Sequence, residues 1–284
     1  RGIFMSVRIF TDSTSDLSQQ QARQLGVEVI PLTVRFGEEE FVDGVTMTPA
    51  EFYNKLEESQ QLPQTAQINP DVFEKVFGAA REQGDTLVGI FLSSDLSGTF
   101  QSARVAQQML GEEGIVLVDS CTVTFGLGLL VREAAAMRDA GKSAQEIGAA
   151  LEELRHKVRL YAAVDTLKYL RLGGRLSGAA AALGGLLNIK PLISVQEGKV
   201  ESVAKVRGLG PALDWIVSRI EAEGLDPEHM VMFGHTAAPE LCGKFAQKVL
   251  EKLPVAQYDW AEIGSTVGTH AGPGAVGAAF IKKG

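Results

Sequence analysis

The sequence predicts an α/β fold, with an N-terminal, mostly parallel sheet sandwiched by helices and a smaller C-terminal α+β domain. Strand-like runs alternate with longer helical segments in the first half, which is typical of βαβ crossovers. From about residue 160 a hairpin pattern appears instead. A chain of 284 residues is also long for one domain and comfortable for two. We therefore expect domains at residues 5–159 and 160–284.

In chain order, the first half alternates between the two kinds of element. Apolar or β-branched runs predict strands at residues 7–10, 26–34, 87–92 and 115–118. Apolar spacing and capping residues predict helices at residues 17–25, from Thr48 onward, and at residues 71–83, 102–110, 126–140 and 143–157. An acidic turn region at residues 37–44 and a loop at residues 63–70 complete this half. In such parallel sheets, ligands bind beyond the carboxyl ends of the strands.

The second half has a different pattern of predicted strands and helices. Strand-like runs occupy residues 161–164, 229–233 and 258–263, and residues 191–203 predict a hairpin that closes through Glu197-Gly198. Helical segments are predicted at residues 166–172, 210–223 and 239–253. The combination predicts the α+β domain.

Composition excludes several classes of function. A net charge of −8 and a pI near 5.2, without a cluster of basic residues, argue against a nucleic-acid partner. The distant Cys121 and Cys242 indicate free thiols in a reducing cytoplasm, and no metal-ligand spacing or nucleotide-binding loop occurs, so no cofactor is expected. The longest uncharged run, residues 176–189, is too short to span a bilayer. Met5 is the expected natural start, and residues 1–4 are expected to be a tag remnant.

The serine-rich loop at residues 93–99 joins a buried-type strand to a helix. Free N–H groups and hydroxyls at a helix N-terminus suit an anion. Ser97 is then either an anion ligand or simply a helix cap, and the loop alone favours the cap. The ends of the strands at residues 7–10, 87–92 and 115–118 carry similar polar residues, so adjacent strands would form one polar floor.

Two further segments could carry function. His270 lies in a glycine-rich stretch and offers a donor that can be charged, although a lone histidine is more often structural. Arg171 and Arg175 flank Gly173-Gly174 directly before a long apolar run. Basic groups beside an apolar segment would suit an amphiphile with an anionic head or an acidic partner, and the alternative is a solvated turn.

Taken together, these segments resemble the DegV family, the bacterial fatty-acid-binding proteins that serve a fatty acid kinase. The resemblance covers nearly the whole chain and rests on Thr11-Asp12-Ser13 with Asp16-Leu17, Asp43-Gly44, Ser93-Ser94-Asp95-Leu96-Ser97-Gly98-Thr99, Val118-Asp119-Ser120, Leu167-Lys168-Tyr169-Leu170 with Gly173-Gly174-Arg175-Leu176-Ser177, Leu187-Asn188-Ile189-Lys190-Pro191, and Gly268-Thr269-His270 with Gly272-Pro273-Gly274. Each motif alone is weak, but their joint occurrence in this order is specific.

The resemblance implies two α/β domains with a long-chain fatty acid, such as palmitate or oleate, between them. It implies carboxylate ligands at Thr65, Ser97 and His270, with Ser94 and the N–H of Gly98 as additions. It also implies that Arg175, with Arg171 beside it, faces a kinase subunit that phosphorylates the bound acid to an acyl-phosphate. The protein would then be a cytoplasmic carrier that presents its substrate and is not itself the catalyst.

The sequence departs from the family pattern at Ala66, Ile68 and Ala271, where hydroxyl residues or a proline are frequent, which affects the details of head-group binding. A stand-alone esterase or phosphotransferase using Ser97 or Ser94 with His270 is the alternative from another class. It would need a nucleophile–base hydrogen bond and an orienting carboxylate such as Asp12. A regulatory interaction module, the third hypothesis, would have no ligand cavity.

Overall fold

The structure is a computed structural model that describes residues 6–59, 61–178 and 188–284. The strands described are β1 (Val7–Asp12), β2 (Val27–Ile30), β3 (Thr33–Phe36), β4 (Glu39–Val42), β5 (Gln64–Ala66), β6 (Thr86–Phe91), β7 (Ile115–Asp119), β8 (Val158–Ala163), β9 (Ile189–Gln196), β10 (Lys199–Arg207), β11 (Val231–His235), β12 (Tyr258–Glu262) and β13 (Val276–Ile281). The helices described are α1 (Gln19–Leu25), α2 (Pro49–Glu58), α3 (Pro70–Glu82), α4 (Thr99–Leu110), α5 (Phe125–Asp139), α6 (Ala144–Leu154), α7 (Lys168–Leu172), α8 (Leu209–Glu223), α9 (Pro239–Lys252) and α10 (Ser265–Ala271).

The first sheet is parallel, in the order β2-β1-β6-β7, which confirms the predicted fold class. Because its strands run in one direction, the polar residues that follow them meet at one edge. Asp12 Oδ2 accepts a hydrogen bond from the N–H of Leu92 at 2.8 Å, and Asp119 Oδ1 accepts one from the N–H of Ser94 at 3.2 Å. The polar floor expected at this edge is therefore present.

The second sheet is mixed, in the order β10-β9-β8-β13-β11-β12. The predicted hairpin is confirmed, since β9 and β10 are antiparallel and Gln196 lies opposite Lys199. The residue boundary that we expect between 159 and 160 falls inside β8, all of which belongs to this sheet.

A third, small antiparallel sheet, β4-β3-β5, corrects three expectations. The single strand expected at residues 26–34 is two strands in two different sheets, separated at Pro31, whose ring lacks the N–H that a continuing strand needs. The expected turn at residues 37–44 contains β4, and the expected loop at residues 63–70 contains β5.

The glycine-rich stretch after residue 264 forms α10 and then begins β13, neither of which the sequence predicts. β13 is a central strand between β8 and β11, and every one of its residues is buried. A strand buried on both faces has no polar alternation, and its glycine and alanines have low strand propensity. The periodic signal for a strand is therefore missing.

Helix α5 lies between the two large sheets. It contacts β1 and β6 of the first sheet and β8, β11 and β13 of the second. Almost the entire N-terminal half of α5 is buried, and the side chains of this half are apolar on every face of the helix. One hydrophobic core consequently runs through both halves of the chain, from Val88 through Leu127 to Met232.

Candidate functional site

A cavity of about 210 Å³ lies where the two halves of the chain meet. Its walls are mostly aliphatic and come from both large sheets and from the start of α5. They include Leu92, Val123, Phe125, Leu160, Ala162, Val164, Ile193, Val195 and Val200. Polar residues from four separate segments line another part: Thr65, Gln67, Ser97, Gly98, Arg175 and His270. The cavity thus offers apolar walls together with a group of hydroxyls, an imidazole and a guanidinium.

Thr65 and His270 are joined across the cavity lining. Thr65 lies on β5 and His270 lies on α10, 205 residues later, and Thr65 Oγ1 is 3.1 Å from His270 Nε2. His270 Nδ1 is buried and makes no hydrogen bond to any described residue. The structure therefore brings together two of the residues that the family resemblance implies as ligands.

The N-cap residue of α4 is Gly98, which makes no side-chain capping bond, so Ser97 is not the helix cap that the loop sequence favours. Ser97 Oγ accepts from the N–H of Thr99 at 3.2 Å and lies 3.0 Å from Thr99 Oγ1. Thr99 Oγ1 in turn accepts from the N–H of Ile68 at 3.3 Å, which ties the segment after β5 to this loop. Ser97 also lines the cavity, so it is available as the anion ligand that is the alternative to the cap.

Gly98 packs closely against the same segment. A Cβ atom at residue 98 would lie 2.1 Å from Gln67 Oε1. Gln67 is itself held by a 3.1 Å hydrogen bond to Ser102 Oγ on α4. The absence of a side chain at residue 98 therefore lets the two polar loops approach one another.

Arg175 lines the cavity, although the resemblance implies a place on a partner-docking face. It is half-buried and its guanidinium donates to the carbonyl oxygens of Leu96 at 3.2 Å and Gly173 at 2.7 Å. Arg171, in contrast, is exposed on α7. The two arginines that flank the glycine pair thus lie in different environments, because the chain turns between them.

The surroundings of His270 in the cavity keep its imidazole neutral. Burial, with the nearby Arg175 cation as a second cause, lowers the pKa of His270 from 6.5 to about 4. The imidazole is therefore uncharged near pH 7 and can donate from only one nitrogen. Arg175 is the positive charge of this site.

A set of contacts that the sequence analysis missed holds α10 in place. Asp16 Oδ1 accepts from the N–H of Gly264 at 2.8 Å. Asp43 Oδ1 accepts from both the N–H and the hydroxyl of Ser265, at 2.9 and 2.6 Å. A helix of seven residues is too short to be stable alone, so these bonds from the first half determine where His270 lies. The motifs containing Asp16 and Asp43 were visible in the sequence, but nothing in it indicated their distant partners.

Two candidates from the sequence lie outside this arrangement. Ser94 is exposed and is not among the described residues that line the cavity. Asp12 is buried and accepts from Thr14 and Leu92, with burial raising its pKa to about 6. The enzyme alternative needs a serine–histidine hydrogen bond, whereas His270 Nε2 is bonded to Thr65. The geometry therefore does not assemble the nucleophile, base and carboxylate that hydrolysis would require.

Most of the apolar run that follows Arg175 in the sequence, residues 179–187, lies outside the described residues. Within the described ranges, no group of three or more His, Cys, Asp or Glu side chains is arranged to hold a metal ion. Over the same ranges, no helix has the length and apolar character that crossing a membrane requires.

Comparison with known proteins places the chain among relatives of the same length. A family model described as an uncharacterised protein of the DegV family matches residues 6–283. A DegV domain-containing protein of Deinococcus radiodurans is 39% identical over 279 residues, which cover 97% of this chain and 98% of that protein.

Solved structures agree with the family match. A DegV family protein from Thermus thermophilus, described as binding fatty acid, superposes with a TM-score of 0.90 at 33% identity and covers 98% of this chain and 100% of its own. A stearic-acid-binding protein from Eubacterium ventriosum superposes with a TM-score of 0.88 at 27% identity, covering 98% of each chain. Both similarities extend over both halves of the fold.

Proposed function

This chain belongs to the DegV family, and we propose that it binds one long-chain fatty acid, such as palmitate or oleate, in the cavity between its two large sheets. The observation that carries this proposal is a single cavity with aliphatic walls and a separate group of polar side chains. The binding of fatty acid described for the Thermus thermophilus protein supports it.

The apolar walls supply most of the binding free energy. Burying about fourteen methylenes at about 0.8 kcal/mol each contributes on the order of 11 kcal/mol before the cost of association. A buried carboxylate must be paired to avoid a penalty, so the polar group chiefly orients the acid. Thr65, Ser97 and the N–H of Gly98 are the proposed donors, and Arg175 supplies the balancing charge.

In this proposal the protein is a carrier, and a separate fatty acid kinase phosphorylates the bound carboxylate. The neutral His270 holds Thr65, and Thr65 then donates its hydroxyl proton to the carboxylate. The exposed Arg171 is the proposed docking contact for the kinase subunit, with Arg175 behind it at the carboxylate. This arrangement needs no cofactor in the carrier and suits a cytoplasmic protein.

Native mass spectrometry of the purified protein, followed by extraction and identification of what is released, tests the binding step. A stoichiometric fatty acid is the expected result. An empty protein that also refuses added palmitate and oleate would refute the proposal.

The presentation step needs a reconstituted kinase. We expect Ser97→Ala to weaken fatty acid binding modestly but to slow acyl-phosphate formation much more, since orientation and not affinity is lost. A variant that binds fatty acid and supports the wild-type rate would contradict the assigned role of Ser97.

A further inference from the structure

Thr266 lines the fatty acid cavity with a hydroxyl that the rest of the site does not use. Its side chain is only 5% exposed, and Thr266 Oγ1 has no hydrogen-bond partner among the described residues. Buried hydroxyls are almost always paired, and an unpaired one costs stability. Among the cavity-lining residues that the structure describes, only His270 shares this property, and His270 belongs to the polar group already assigned.

The neighbours of Thr266 define what it could bind. Thr14 and Thr124 also line the cavity, and both lie near the start of α10: the turn at residues 13–15 contacts α10, and Thr124 binds Asp16, whose other oxygen accepts from the N–H of Gly264. Each threonine donates its hydroxyl proton to a buried carboxylate, Asp12 and Asp16 respectively, at 2.5 Å. A hydroxyl whose proton is committed can only accept a further hydrogen bond. Thr266 Oγ1 can still donate. This part of the wall therefore offers both a donor and acceptors.

Thr266, Thr14 and Thr124 together form a polar patch on the cavity wall. The position of Thr266 places this polar patch near the carboxyl end of the bound fatty acid. Thr266 and His270 are four residues apart on α10, so they lie on one face with Cβ atoms about 5–6 Å apart. The patch is thus separate from the carboxylate ligands but within reach of the first carbons of the chain.

We propose that Thr266 is a specificity-determining residue that selects fatty acids carrying a hydroxyl group near the carboxyl end. This inference rests on the proposed fatty-acid-binding function. The ligand hydroxyl accepts from Thr266 Oγ1 and donates to Thr14 or Thr124. An unsubstituted chain leaves the threonine unpaired, so the same residue disfavours plain acids.

The test compares palmitate, 3-hydroxypalmitate and 16-hydroxypalmitate with the delipidated wild-type protein, Thr266→Val and Thr266→Ser. Valine has the shape of threonine without the hydroxyl, and serine keeps the hydroxyl. Dissociation constants are measured by competition against a fluorescent fatty acid, and thermal denaturation verifies that each variant is folded. We expect Thr266→Val to reduce the preference for 3-hydroxypalmitate over palmitate by about fivefold relative to the wild type. Thr266→Ser, which keeps the hydroxyl, should retain the wild-type preference.

The outcomes separate the two proposals. The selectivity proposal fails if Thr266→Val leaves the preference unchanged, or if palmitate and 3-hydroxypalmitate weaken equally, which would make Thr266 a carboxylate ligand. It also fails if the preference is as large for 16-hydroxypalmitate, because a hydroxyl at the far end cannot reach α10. Failure of the wild type to bind any of the three acids would instead refute the binding function itself.

Discussion

At the scale of single residues, Asp43 shows how a buried carboxylate can act through only one of its oxygens. Asp43 is 3% exposed, and its Oδ1 receives both hydrogen bonds from Ser265 while its Oδ2 has no partner among the described residues. An amide keeps the oxygen that is used and replaces the one that is not. We expect Asp43→Asn to change the free energy of unfolding by less than about 1 kcal/mol and Asp43→Ala to lower it by about 2–3 kcal/mol, measured by urea denaturation.

The comparison between these two variants isolates the hydrogen bonds from the charge. If Asp43→Asn were as damaging as Asp43→Ala, the negative charge itself would be needed. The anchoring of α10 through Ser265 would then not be the reason that Asp43 is buried.

His270 should give the protein a measurable dependence on pH. Its pKa is about 4 in the folded protein against 6.5 for the ordinary side chain, so the unfolded chain takes up a proton first as the pH falls. The contribution of His270 to stability is therefore full above pH 6.5 and is lost progressively down to about pH 4, with a total of about 3 kcal/mol.

Urea denaturation of the delipidated protein at several pH values would measure this effect. Wild type should lose stability relative to His270→Gln between pH 6.5 and 4. Comparison with the variant removes the opposite contribution of Asp12, whose raised pKa stabilises the folded protein as the pH falls. A difference between the two proteins that stays constant over this range would contradict a neutral, buried His270.

The sequence predicts individual site residues only where the chemistry is local. Ser97 could be singled out from a serine-rich turn between a strand and a helix, and His270 from its glycine-rich surroundings. Thr65 came from the family resemblance alone, because nothing around it has a chemical signature. Asp43 and Thr266 depend on partners or walls from distant parts of the chain, which no local pattern encodes.

At the scale of elements, the contact between α7 and α10 depends on Gly173. A Cβ atom there would lie 2.2 Å from His270 Nδ1 and 3.1 Å from the carbonyl oxygen of Tyr169. We expect Gly173→Ala to displace the imidazole, break its hydrogen bond with Thr65, and destabilise the protein by about 1–3 kcal/mol. Binding of palmitate should weaken with it, measured by the competition assay used for Thr266.

Gly243→Ala is the matched control. Gly243 lies in α9, and a Cβ atom there would meet nothing within 4 Å. Because alanine favours a helix over glycine, this variant should gain up to about 1 kcal/mol and bind palmitate as the wild type does. Equal effects of the two substitutions would show that the close packing of Gly173 against His270 is not what positions the ring.

Prediction of elements succeeded for the long periodic ones and for the buried, apolar β6, but it missed β4, β5, α10 and β13. The predicted helix at residues 126–140 corresponds to α5, and the hairpin at Glu197-Gly198 has the expected turn. β4 and β5 are short edge strands of four and three residues, which carry too few positions for a period to show. The small sheet that holds Thr65 could therefore not be predicted as a unit.

At the scale of the whole molecule, the fold class followed from the alternation of strands and helices, but the position of the cavity did not. The cavity exists because α5 and the edges of two sheets meet, and its walls combine residues from Leu32 to Ala275. Such long-range packing depends on how the halves dock, which periodicity within either half does not specify.

Because the cavity walls are aliphatic, affinity should rise steadily with the length of the acyl chain. Each further methylene buried contributes up to about 0.8 kcal/mol, which lowers the dissociation constant by up to about fourfold. The thermal stability of the delipidated protein should rise in the same order at a fixed concentration of acid, because a ligand that binds only the folded state stabilises it. The prediction is checked with saturated acids from octanoate to stearate. Competition gives the dissociation constant of each acid, and thermal denaturation gives the stability of the protein with each acid bound.

The point at which the increase stops reports the usable length of the cavity. Ile193→Phe, which adds volume to an aliphatic wall, should move that point to shorter chains while leaving octanoate little affected. A dissociation constant that does not depend on chain length would mean that the acyl chain lies outside the cavity. In that case the aliphatic walls would not be the source of the affinity, and the carboxylate contacts alone would have to account for any binding.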